Sequence, residues 1–337
     1  MRVWLIALSF ALCLADKTCD EGLPSIAIVE YDEVANPDPS KVPGLFQLLA
    51  SLLSPVTKVV KDPETLKKEA FARALGVGEN HFTDYKWRMD TDPQYKESEL
   101  QLVDEAETVV TTLPFADQFR FGHYITRKMM AEEESIRHPW IEYMVTVAYP
   151  SRLKDGKKVD CMACGNIAYI MAHMVPTDPL WLKLAYILVK LELGNKEMPD
   201  FGPLTSDAEF LNADVKSIIE LHAADYQARL IVEPDYQHSQ RMLWKAAEHI
   251  PTFPFMDQMR FGDYVIRKVM AEDESVWRPF LEHMLLTDVR RALRIHKHTS
   301  GSIGNMAYVI SQLRPTDPLW IEAVRSHILL LNDIKNK

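Results

Sequence analysis

Four side chains that could recognise an anion fall at helical spacing: Asp117, Arg120, Tyr124 and Arg127. Steps of three and four residues place them along one stripe of a helix. Guanidinium forks match carboxylates and phosphates, so the stripe reads as an anion-binding face. The same four residue types recur as Asp257, Arg260, Tyr264 and Arg267. Retention in two places favours a second reading, an ion-pair network tying this helix to its neighbours, with Asp117 placed well near a helix N-terminus. All eight residues are binding candidates.

A basic stretch supplies the second candidate. Arg290, Arg291, Arg294, His296, Lys297 and His298 follow one another closely near the end of a predicted helix. Positive charge suits a helix C-terminus, and the same run could dock an acidic partner. Lys154, Lys157 and Lys158 occupy the corresponding region earlier in the chain.

Cys161-Met-Ala-Cys164 is the most distinctive short motif. A C-x-x-C at a helix start can be a redox pair, but the βαβ pattern that usually carries it is missing. A zinc site needs two more close ligands, and only His173 lies nearby in sequence. A disulfide is expected, either between Cys161 and Cys164 or from one of them to Cys19. The acidic clusters Glu132-Glu133-Glu134 and Glu272-Asp273-Glu274 lack the spacing and central glycine of a calcium loop. They read as solvated helix ends, with Ser135 and Ser275 as caps. No metal or cofactor is expected, and no nucleophile elbow, phosphate loop or H-E-x-x-H occurs.

The elements that carry these residues come from a duplication. Pro114-Phe-Ala-Asp-Gln-Phe-Arg-Phe-Gly122 returns as Pro254-Phe-Met-Asp-Gln-Met-Arg-Phe-Gly262, an offset of 254 − 114 = 140. Over 114–144, 18 of 31 positions are identical in the second copy, too many for chance. Gly165-Asn-Ile-Ala-Tyr169 matches Gly304-Asn-Met-Ala-Tyr308, and Pro176-Thr-Asp-Pro-Leu-Trp181 matches Pro315-Thr-Asp-Pro-Leu-Trp320. A sparser block pairs Asp84-Tyr85, Arg88, Pro93 and Tyr95 with Asp225-Tyr226, Arg229, Pro234 and Tyr236.

Each copy reads as about six helices. Asp62 and Pro63 open the first, over 62–74, and others follow over 94–112, 114–131 and 136–149. A fifth opens at Gly165-Asn166 and buries Ile167, Ile170, Met171 and Met174. The last is capped at Thr177 or Asp178 and buries Trp181, Leu184, Ala185, Leu188 and Leu191. Its counterpart offers Asp317, Trp320, Ala323, Val324 and Leu331.

The fold class is therefore all-α: two tandem helical modules, over 58–196 and 197–337, packed with pseudo-twofold or solenoid-like symmetry. Residues 1–15 read as a signal peptide, with Arg2, an apolar run over 3–14 and small residues before the cut. Residues 16–57 form a leader without a counterpart. With 47% hydrophobic residues the chain can bury a core, and a net charge of −10 disfavours nucleic acid as a partner. No segment is long and apolar enough for a stable membrane span. The expected function is secreted and non-catalytic, binding an unknown protein or small molecule. A hydrolase with a carboxylate-lined cleft and a carrier of lipid or other apolar ligands are the alternatives.

Overall fold

A computed structural model describes residues 62–154, 161–194, 212–296 and 299–335. The expected signal peptide over 1–15, the expected leader over 16–57, and Lys157, Lys158, Lys297 and His298 lie outside the described residues, as does Cys19. The described elements are helical, without a strand among them, so the all-α reading holds. The chain divides into two compact units, Met1–Glu69 and Ala70–Lys337. Both copies of the repeat thus fall almost wholly within the second unit.

Helix α1 spans Pro63–Thr91, longer than the sequence pattern predicts. Asp62 Oδ1 accepts the Glu64 and Thr65 amides at 3.0 Å each, and Pro63 needs no donor. Pro93 ends the run by forcing Asp92 into an extended conformation, φ −117° and ψ 100°. Asp92 then caps α2, Pro93–Val109.

The predicted helix over 114–131 is broken. It becomes α3 (Phe115–Gln118), a 3-10 turn over Phe119–Phe121, and α4 (Tyr124–Ala131). Gly122 leaves the helical region between them, at φ −58° and ψ 119°, and packs against Tyr169: a Cβ there would meet the Tyr169 ring at 2.7 Å. A Cβ on Gly165 would likewise meet the Phe121 Cβ at 2.7 Å. Two small residues therefore let the 3-10 turn lie directly on α7, Cys161–Ala172. Between them come α5 (Glu134–Tyr143), a π-helical stretch over Met144–Ala148, and α6 (Tyr149–Lys154). Glu133, not Ser135, holds the cap position of α5. The described part of α7 starts at Cys161, earlier than the Gly165 start expected.

Helix α8, Pro179–Leu193, is capped as predicted: Asp178 Oδ1 accepts the Leu180 amide at 2.8 Å. The remaining elements follow the same order. They are α9 (Ala213–Val232), α10 (Pro234–Ala247), α11 (Phe255–Gln258), α12 (Tyr264–Val269), α13 (Glu274–His283), α14 (Arg290–Arg294), α15 (Ser300–Gln312) and α16 (Pro318–Lys335). The break recurs at Gly262 against Tyr308, and the close approach recurs at Gly304 against Phe261. Asp317 repeats the cap of Asp178 on Leu319 at 2.9 Å.

The core centres on two tryptophans. Trp181 and Trp320 are 0% and 1% exposed, and their indole N–H groups donate to Met171 O at 3.0 Å and Ile310 O at 3.1 Å. Each buries a large apolar area while satisfying its one polar atom. The contacts between the copies are reciprocal. Phe115 N donates to Leu313 O and Phe255 N donates to Met174 O, both at 2.9 Å. The Phe115 and Phe255 rings meet edge to face at 5.5 Å. Phe115 also meets Trp320 at 5.9 Å, as Phe255 meets Trp181 at 5.6 Å.

Candidate functional site

The residues of the sparsest repeat block converge in each copy on a triangle of tyrosines. Tyr85 on α1, Tyr95 on α2 and Tyr124 on α4 have ring centroids 5.8 to 6.3 Å apart. Tyr226, Tyr236 and Tyr264 repeat it at 5.5 to 6.4 Å. Tyr124 donates its hydroxyl proton to Asp84, and Tyr264 does the same to Asp225. That bond holds the Asp84 carboxyl below its usual range. Burial pushes the Tyr85 phenol up to about 12, so it stays protonated. Outside the triangle, His81 meets Glu132 at 2.7 Å and His222 meets Glu272 at 2.8 Å. One member of each acidic cluster is thus a tether to the long helix of its copy.

Beside the triangle the copies part. In the first, Glu99 of α2 points inward, 5% exposed, and Arg127 Nη2 donates to it at 3.4 Å. Burial raises the Glu99 carboxyl, while Arg127 and Tyr95 pull it back down. His123, behind Arg127, is pushed down to about 4 by burial and is neutral at pH 7. This corner is filled by the protein's own charges.

In the second copy the matching positions line an open cavity of about 350 Å³. Gln240 stands where Glu99 would, Asp263 where His123 would, and Trp244 where Val103 would. Helix α10 buries no residue, whereas α2 buries Glu99 and Ala106, so α10 stands off and leaves the space. Tyr236, Gln240 and Trp244 form one wall. Asp263, Tyr264 and Arg267 of the α12 start form another, and Ser302 and Asn305 of α15 form the floor. Asp263 Oδ1 caps α12 through the Val265 amide at 2.8 Å, and Asn305 Oδ1 accepts the Asp263 amide at 2.7 Å. A smaller cavity of about 180 Å³ shares Ser302 and Asn305 and is bounded by the π-helical stretch over Met284–Val289.

The predicted stripe is divided by the break at Gly122. Asp117 and Arg120 are exposed, and Arg120 Nη2 reaches Glu105 at 2.5 Å. Tyr124 is buried, and Arg127 serves Glu99. In the second copy Asp257 and Arg260 lie 4.0 Å apart on the surface, while Arg260, Tyr264 and Arg267 reach the cavity. The basic patch loses its first member. Arg290 is 4% exposed, and its guanidinium is held by buried Glu322 at 2.9 Å, so it cannot dock a partner. Arg291, Arg294 and His296 are exposed, and His296 meets Asp333 at 2.7 Å.

Cys161 and Cys164 are not bonded to each other. Cys164 lies beside Glu192, and the Cys161 thiol reaches Glu107 O at 3.7 Å. Among the described residues no group of three His, Cys, Asp or Glu could hold a metal, and no helix is long and apolar enough to cross a membrane.

Besides Glu99 and Glu322, two more buried ionisable groups escaped sequence reasoning. Glu192 near the end of α8 is pushed up to about 7 by burial, partly offset by Gln118, Arg314 and Cys164. His327 on α16 is 0% exposed, and neither ring nitrogen has a partner among the described residues. Burial pushes it down to about 3. The repeat pairs Glu192 with Leu331 and His327 with Leu188, so each is the polar exception in an apolar pair. No protein-family model, curated protein or solved structure matches this chain.

Proposed function

We propose that this is an exported, non-catalytic binding protein built from two helical modules related by pseudo-twofold symmetry, one closed and one holding a small molecule. The reciprocal bonds Phe115–Leu313 and Phe255–Met174 support the symmetry, because they join positions paired by the repeat. The apolar run over 3–14 supports export.

The observation that carries the binding reading is the difference between copies at one corner. Where Glu99 and Arg127 fill the first, the second opens about 350 Å³ lined by aromatic rings and a few polar groups. Concave sites of this size and mixed lining are where small molecules bind. The polar share of the wall favours a ligand with both apolar and charged parts over a purely apolar cargo. Ligand-observed NMR with a fragment library tests this, using wild type and Trp244→Ala. Trp244 is 60% exposed, so its removal spares the core. The expected result is a set of hits that weaken or vanish in the variant. Hits unaffected by the variant, or none at all, would contradict the reading.

A further inference from the structure

The first copy shows which chemical group the second lacks. Arg127 and Arg267 are equivalent in the repeat, and so are Tyr95 and Tyr236. Between Arg127 and Tyr95 sits the Glu99 carboxylate. Position 240 carries an uncharged amide instead, and Arg267 has no acidic partner among the described residues. Its guanidinium is nevertheless fixed: Nε donates to Gly262 O at 2.8 Å and Nη2 to Arg260 O at 2.6 Å. The ring of Tyr308 lies 4.6 Å beneath it. Nη1 makes no bond to a described residue. A positioned cation with spare donors recognises an anion at little ordering cost.

We propose that the second-copy cavity takes a small molecule with a carboxylate on a flat apolar body, the carboxylate lying beside Arg267 as Glu99 lies beside Arg127. This rests on reading the cavity as a ligand site. The charged lining consists of Arg260, Arg267 and Asp263, a sum of 2 − 1 = +1, so it favours a single negative charge. Gln240 offers an amide donor at the same corner, and Asn305 Nδ2 makes no bond to a described residue and is a further donor. Tyr236 and Trp244 supply faces for the flat body. Asp263 already accepts the Val265 amide at the α12 start.

The test uses aromatic acids and their uncharged amides as probes: indole-3-propionate with indole-3-propionamide, and 2-naphthoate with 2-naphthamide. Affinities are measured by calorimetry on the full chain. Each acid is expected to bind about ten- to hundredfold more tightly than its amide, as for a charge-assisted bond. Arg267 also secures the 3-10 turn, so Arg267→Gln could fail to fold. Gln240→Glu avoids this by installing the first copy's own carboxylate, and it should abolish acid binding while unfolding as wild type does. Equal affinity for acid and amide, both lost in Trp244→Ala, would overturn the carboxylate inference and leave the cavity as a binding site. Acid binding unchanged in Gln240→Glu, or no acid binding at all, would also overturn it.

Discussion

Replacing His327 by leucine should stabilise the protein, and more so in acid. The ring is 0% exposed, lies 6.0 Å from Phe255 and 6.3 Å from Trp181, and has no partner among the described residues for either nitrogen. Its folded pKa is about 3, against about 6.5 in an unfolded chain. Above pH 6.5 both states hold the neutral ring, and proton binding favours neither. As pH falls from 6.5 towards 3 the unfolded chain takes up a proton that the fold refuses, so stability is lost across that window. At pH 5 the difference is about 1.5 units, or about 2 kcal/mol at about 1.4 kcal/mol per unit. The first copy shows that leucine fits, since Leu188 is fully buried at the paired position. At pH 7 the variant should already gain about 1–3 kcal/mol from losing an unsatisfied polar ring. Urea unfolding of wild type and His327→Leu at pH 7 and pH 5 measures both gains. His123 and Glu192 titrate in both proteins and cancel in the comparison. If the two proteins lose the same stability between pH 7 and pH 5, His327 is not the buried neutral group described, and the reasoning fails.

Glu192 should act in the opposite direction. Its folded pKa is raised, so its contribution is intact below about pH 4.5 and is lost as pH rises through about 7; Glu192→Gln should therefore gain roughly 2–3 kcal/mol over wild type at pH 8 and little at pH 4 by urea unfolding. Gly165→Ala and Gly304→Ala should each cost about 1–3 kcal/mol, because the new methyl meets Phe121 O at 3.0 Å or Phe261 O at 2.8 Å; melting curves check this, and unchanged midpoints would show that the 3-10 turns do not seat on α7 and α15. Arg290→Ala should cost about 3–5 kcal/mol by stranding Glu322, while Arg291→Glu with Arg294→Glu should stay within about 0.5 kcal/mol.

Much of the architecture is legible in the chain. Asp62, Asp178 and Asp317 cap helices where the pattern places them, since an aspartate before a proline satisfies local rules alone. The apolar stripe of Trp181, Leu184, Ala185, Leu188 and Leu191 is buried for the same local reason. The break at Gly122 was hidden, because it packs against a ring 47 residues away, Tyr169, against which no larger residue fits. The π-helical stretches were hidden likewise, since a one-residue insertion barely disturbs the apolar period. His327 carried a readable signal: it follows Trp320 by seven residues and Ala323 by four, on the buried face. The cavity was visible only as differences between the copies, glutamate to glutamine at 99 and 240, valine to tryptophan at 103 and 244, and histidine to aspartate at 123 and 263. Matching types announce the shared scaffold, and the site lies where the types diverge.

One copy is closed by its own Glu99, and the other is open at the matching corner. Binding stoichiometry tests this difference most directly. Calorimetric titration of the full chain with indole-3-propionate should give one site in wild type, none in Gln240→Glu, and one in Trp181→Phe, a change confined to the core. Two equivalent sites in wild type, or one site that persists unchanged in Gln240→Glu, would show that the copies do not differ in this way.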